Sequence, residues 1–149
     1  MMRMSTKGHH ATRIMVRLAC TPDYPVSKGE IGEAEGIPPG YVQQLMIRLV
    51  DAGLVRSHRG RAGGFTIARP PEEISVKEVL MATEGAFELA PCVDLRLICP
   101  RSEVCPAHLL WSQATTLVND LFEKTSIADL LAQGQQLEAP GQQLEAQLA

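Results

Sequence analysis

Three cysteines and one histidine crowd a short stretch late in the chain: Cys92, six residues, Cys99, five residues, Cys105, two residues, His108, all within seventeen positions. Thiolates hold iron-sulfur clusters, with imidazole as a known substitute, and a tetrahedral zinc site accepts the same three-sulfur, one-nitrogen set. Spacing bears on the choice. Zinc ligands usually come in pairs roughly two to four residues apart at a tight knuckle. Gaps of six and five favour a loop wrapped around a larger inorganic core. Pro100 and Pro106, each directly after a cysteine, fix φ and stiffen such a loop, as they would an ordinary turn. A nucleophilic Cys105 with His108 as its base is a poorer fit, because no Asp or Asn is evidently placed to orient the imidazole and three cysteines would be superfluous. The fourth cysteine, Cys20, falls on the apolar side of a predicted helix and reads as a small buried hydrophobe.

Positioning these groups falls to a chain of 149 residues, 45% hydrophobic and 21% charged, enough for one compact domain with an appendage. Ser5 precedes a helical pattern formed by Ala11, Ile14, Met15, Leu18 and Ala19, which ends at Thr21-Pro22. Ser27-Lys28-Gly29-Glu30 fits a capping box and opens a short helix to about Glu35, closed by Gly36. Pro38-Pro39-Gly40 starts a third helix with the apolar stripe Val42, Leu45, Met46, Leu49 and Val50, stopped by Gly53. Leu54 to His58 and Phe65 to Arg69 read as a β-hairpin with the basic tip Arg59-Gly60-Arg61. Three helices and a hairpin within about 65 residues form the winged helix-turn-helix pattern.

Ser75-Val76-Lys77-Glu78 repeats the capping-box spacing and begins a helix to about Thr83. From Ala107, the residues Leu109, Leu110, Trp111, Ala114, Leu117, Val118, Leu121 and Phe122 recur at helical spacing over about four turns. So broad a stripe, with few apolar segments left to cover it, suits a two-fold dimer interface better than a monomer that buries it all. A last short helix follows Ser126, and a duplicated Gly-Gln-Gln-Leu-Glu-Ala element fills the tail. The expected class is mainly α with a small β-hairpin. Its parts are a winged DNA-binding domain (1–84), a cluster-binding loop (85–106), a dimerisation helix with a terminal helix (107–133) and a disordered tail (134–149).

Net charge is −3, which taken alone argues against a general polyanion binder. The total hides an asymmetry. Residues 1–70 carry ten basic against five acidic side chains, and the remainder four against twelve, so the halves stand at +5 and −8. A basic working face in the first half is the implication. No secretory leader pattern opens the sequence, and Val104–Asn119, the longest weakly charged stretch, contains His108, Ser112 and Gln113. A cytoplasmic protein without membrane association is expected, in which cysteines serve as ligands or reactive thiols rather than disulfides.

Several segments together resemble one known family. Met2-Arg3-Met4-Ser5-Thr6-Lys7-Gly8, Gly36-Ile37-Pro38-Pro39-Gly40-Tyr41-Val42-Gln43-Gln44-Leu45, the wing Val55 to Phe65, and Cys105-Pro106-Ala107-His108-Leu109-Leu110-Trp111 are similar to the IscR-type bacterial winged-helix regulators. Members sense iron-sulfur status, nitric oxide or iron. The resemblance runs from Met2 to about Leu131 and implies a 2Fe-2S cluster held by Cys92, Cys99, Cys105 and His108, although the first gap is one residue longer than in the IscR branch. Nitric-oxide-sensing relatives hold a 4Fe-4S cluster with a fourth ligand from an acidic residue of the first helix. Here no Asp or Glu precedes Asp23, and His9 or His10 is the alternative.

On this reading the third helix enters the major groove of an operator duplex. Gly40, Gln43, Gln44 and Arg48 point outward, with Tyr41 beside them. Glutamine offers the donor and acceptor that adenine N6 and N7 require, and Arg48 can reach phosphate or guanine. The IscR branch carries a glutamate at the position of Gln43, where it helps the cluster-free form discriminate between operators; a neutral Gln43 departs from that. Arg59 and Arg61 on a thin glycine-rich ribbon suit a minor groove. The expected protein is a homodimeric DNA-binding repressor or dual regulator and not an enzyme. Its alternatives are a zinc or bare-thiol sensor on the same scaffold, a small redox protein or a protein-binding winged helix.

Overall fold

The computed structural model describes residues 4–94 and 99–136. Six helices and one hairpin make up the described fold. Helix α1 (Thr6–Cys20) is capped by Ser5, whose side chain accepts from the Lys7 amide. Helix α2 (Lys28–Glu35) opens on the complete capping box: the Glu30 amide donates to Ser27 Oγ, and the Glu30 carboxylate accepts from the Ser27 amide at 2.8 Å. Hydrogen bonds to the Glu30 carboxylate from the Ser27 hydroxyl and the Ser27 amide hold the Glu30 carboxyl below its ordinary range. Gly36 ends α2 at φ +66, a left-handed cap that costs glycine little, and Ile37 then leads into α3 (Pro39–Asp51). Gly32 sits so close to this turn that a Cβ there would lie 2.5 Å from the Ile37 carbonyl oxygen.

Strands β1 (Val55–His58) and β2 (Gly64–Ile67) pair antiparallel, Val55 opposite Ile67 and His58 opposite Gly64. Val26 and Phe65 exchange both backbone hydrogen bonds, at 3.0 and 2.9 Å, and fasten the α1–α2 loop to the wing. Gly64 permits that approach, since a Cβ would stand 2.5 Å from the Val26 carbonyl. Helix α4 (Val76–Thr83) repeats the capping box with Ser75 and Glu78. The long α5 (Pro106–Lys124) and α6 (127–136) follow.

One core joins these elements. Ile14, Met15 and Leu18 of α1, Ile31 of α2, Val42, Leu45, Met46 and Leu49 of α3, Ile74 before α4 and Val79 within it are buried together. Ile127 of α6 is 0% exposed in the same cluster, so residues 1–84 alone do not close it. Backbone bonds from Val76 to Thr125 and from Ile127 to Ile74, both 2.9 Å, seal that return.

The winged helix-turn-helix expectation is met. Two details differ from it. Cys20 is exposed rather than buried: it is the last residue of α1, rotated off the stripe, and its thiol turns back to the Val16 carbonyl at 3.4 Å. Helix α6 continues to 136, three residues into the segment assigned to the tail, and residues 137–149 lie outside the described ones.

Candidate functional site

The first candidate surface is built on α3 and the wing. Burial of Val42, Leu45, Met46 and Leu49 turns the opposite side of α3 outward, where Gly40, Gln44 and Arg48 are exposed. Gln43 is half-buried. Tyr41 is half-buried as well, packed against the core and edge-on to the His10 ring at 5.9 Å. Arg59 and Arg61 are exposed at the hairpin tip, as predicted.

Ion pairing decides which cations remain available. Glu35, its side chain only 8% exposed, takes Arg13 at 2.8 Å and Arg17 at 2.5 Å and thereby ties α1 to α2; Arg69 is taken by Glu78 at 2.5 Å. Among the described residues, Lys7, Arg48, Arg56, Arg59 and Arg61 enter no ion pair of this kind and are exposed. Lys28, Arg101 and Lys124 are likewise exposed and outside these pairs among the described residues, but five of the eight such cations gather at the start of α1, on the outward side of α3 and on the wing, as an anionic duplex requires. Lys7 and Ile47 were not singled out from sequence. Both line a hollow of about 520 Å³ with Tyr41, Gln44 and Arg48, because the start of α1 runs past the outer side of α3.

The second candidate is the segment between α4 and α5. Cys92 lies in a 3-10 turn (Pro91–Val93), Cys99 begins a turn closed by Ser102 N to Cys99 O at 3.1 Å, and Cys105 is the N-cap of α5 without a capping side-chain bond. All three are free thiols and half-buried. His108 stands on the first turn of α5, its Nε2 3.5 Å from Ser112 Oγ and its Nδ1 buried without a protein partner. Residues 95–98 lie outside the described ones.

Among the described residues, no three His, Cys, Asp or Glu side chains converge as a metal-holding group. The donor chemistry suits an iron-sulfur cluster or zinc, and the orphaned Nδ1 is what a ligating or pre-ligating imidazole leaves.

Contacts that long-range folding creates fix the first part of this loop. The Leu89 amide donates to Thr115 Oγ1 at 3.2 Å, Asn119 Nδ2 donates to the Phe87 carbonyl at 3.0 Å, and Phe87 meets Phe122 edge to face at 5.6 Å. Thr115, Asn119 and Phe122 thus form the inner side of α5. At the loop's start, the Glu84 carboxylate accepts from Ser5 Oγ and from the Gly8 amide at 2.5 Å, supplying the anion that the first turn of α1 lacks. On the outer side of α5, Leu109, Leu117 and Leu121 are 60%, 71% and 61% exposed.

His10 is the other imidazole with a buried, unpartnered Nδ1. Burial, with His9 and Arg13 adding to it and Glu35 opposing, holds its pKa below the ordinary histidine value. It contacts Tyr41 rather than the cysteines in the described fold. No described helix is long and apolar enough to cross a membrane.

A family model described as "Rrf2: Iron-dependent Transcriptional regulator" matches residues 4–133. The HTH-type transcriptional regulator IscR of Photorhabdus laumondii is 31% identical over 143 residues, which cover 95% of this chain and 87% of that protein. Among solved structures, CymR, the global cysteine regulator of B. subtilis, superposes with a TM-score of 0.76 at 28% identity, covering 89% of this chain and 98% of that one. IscR of T. potens superposes with a TM-score of 0.73 at 28% identity, covering 89% and 88%.

Proposed function

Because the chain belongs to the Rrf2 family of transcriptional regulators, we propose that it is a homodimeric operator-binding regulator that senses iron-sulfur or redox status through Cys92, Cys99, Cys105 and His108. The observation that carries the proposal is the donor set itself: three half-buried free thiols and an imidazole with an unpartnered buried nitrogen, in the loop that joins the DNA-reading unit to α5. When bound there, a 2Fe-2S cluster would supply a reducible and oxidant-labile centre.

The remaining steps belong to the chain's own residues. Gly40, Tyr41, Gln43, Gln44 and Arg48 address the major groove, with Gln44 the best placed to pair with adenine, and Arg59 and Arg61 reach the minor groove or its phosphates. The uncovered Leu109, Leu117 and Leu121 form the seam between two copies. Thr115, Asn119 and Phe122 hold the loop to that seam helix, while Glu84 holds its start to α1, which carries His10 against Tyr41. A change in loop conformation therefore biases the angle between the two reading heads. A bias of about 1–3 kcal/mol gives a several-fold to hundredfold change in operator affinity.

Anaerobic reconstitution tests the sensing reading. Sulfide-to-iron absorption with matched iron and sulfide content is expected, lost in Cys92→Ser, Cys99→Ser and Cys105→Ser and kept in Cys20→Ser, and footprints of holo and apo protein should differ. A colourless, iron-free protein with an unchanged footprint would overturn it. A second reading, a bare-thiol sensor, is favoured by one observation, that the four donors do not converge; it predicts operator affinity that responds to oxidant with no metal present.

A further inference from the structure

The outward side of α3 is polar with one exception. Ile47 is 52% exposed, flanked by Arg48 and lying between Gln44, three positions earlier, and Asp51, four positions later. It shares the hollow into which Lys7 of α1 also projects. We propose that Ile47 reads the 5-methyl group of a thymine on a base pair next to the one that Gln44 addresses, and that this contact sets part of the operator specificity. The inference rests on α3 being the recognition helix.

Chemistry narrows the partner. An isoleucine side chain neither donates nor accepts a hydrogen bond, and the apolar feature that a base pair presents in the major groove is the thymine methyl. Position supports the pairing, since Gly40, Gln44 and Ile47 follow helical spacing along one side of α3. Gln44 and Ile47 are separated by about 4.5 Å of helix rise, close to the ~3.4 Å step between stacked bases. Branching at Cβ restricts Ile47 to essentially one χ1 rotamer in a helix, so the contact is preorganised. Lys7, without an ion-pair partner among the described residues, lies across the hollow where it can meet the adjoining phosphate.

The experiment uses the full chain and a duplex obtained by in vitro selection, with each thymine replaced in turn by deoxyuridine, a change that removes only the methyl group. Wild-type protein should bind about 3- to 10-fold more weakly at one substituted thymine per half-site. Ile47→Ala should bind the thymine and deoxyuridine duplexes alike, and Ile47→Val should show a reduced penalty. The proposal falls if no thymine shows a penalty, or if the penalty is undiminished in Ile47→Ala. Failure of the underlying reading looks different: the wild-type chain would select no sequence at all, before any Ile47 variant is made.

Discussion

Leu117 lies on the uncovered side of α5, so truncating it removes packing that exists only when a second copy covers that side. Leu117→Ala deletes three carbons, worth about 2.4 kcal/mol when fully buried at roughly 0.8 kcal/mol per methylene. With 71% of the residue free to be covered, the loss is at most about 1.7 kcal/mol per protomer. Two-fold symmetry counts each substitution twice, giving about 3.4 kcal/mol per dimer, or a rise of ~300-fold in the dimer dissociation constant. Sedimentation equilibrium over a range of concentrations measures this directly. Alanine keeps the helix propensity, and Leu117 covers little within its own protomer, so far-UV circular dichroism should not change. Leu49→Ala provides the contrast: Leu49 is 0% exposed, and its truncation should cost about 2–5 kcal/mol of folding stability. An unchanged association constant for Leu117→Ala would remove α5 from the seam. A loss of protomer stability as large as that of Leu49→Ala would place Leu117 inside the fold instead.

Arg59→Ala and Arg61→Ala should each weaken operator binding and lower the slope of log affinity against log salt by about one for every phosphate left without its cation; unchanged slopes would take the wing out of the interface. Glu78 offers a pH test: burial works against its ionisation, but hydrogen bonds from Ser75 and the Arg69 guanidinium outweigh it and hold the carboxyl below its ordinary value of 4.5. A depressed folded-state pKa stabilises the fold above that ordinary value, and the benefit fades as pH falls through the lower one. The stability gap between wild type and Glu78→Gln, read from urea midpoints, should therefore be widest near neutrality and narrow in acid; a constant gap would refute the assignment. Gly32→Ala places a Cβ 2.5 Å from the Ile37 carbonyl, should cost about 1–3 kcal/mol of stability and should reduce operator affinity at equal folded fraction. An unaltered melting temperature would show that the turn yields easily.

Local rules carry most of the fold into view. Both capping boxes, at Ser27/Glu30 and Ser75/Glu78, begin helices where the spacing indicates, and the stripe from Val42 to Leu49 is buried as its period requires. Residue type also singles out Cys92, Cys99, Cys105 and His108 as candidate donors. What stays hidden depends on contacts between distant segments. Nothing in the neighbourhood of Glu84 announces that it will serve the N-terminus of α1, and Thr115 and Asn119 look like ordinary helix residues until Leu89 and Phe87 arrive beside them. Cys20 departs from its expected burial because helical periodicity says little about a terminal residue, where the chain is already turning away. Ile47 does not stand out in the sequence because hydropathy alone does not say which apolar residue a fold will leave in water.

The return of Ile127 to the core has a practical consequence for anyone who would dissect this molecule. The polypeptide departs after Thr83, travels the length of α5 and comes home beside Ile74, so α5 and the segment before it make a closed handle rather than a detachable appendage. Cutting the chain ahead of α6 would strip a plug from the head that grips DNA, and an isolated reading module should be engineered by shortening the handle while its final segment is kept.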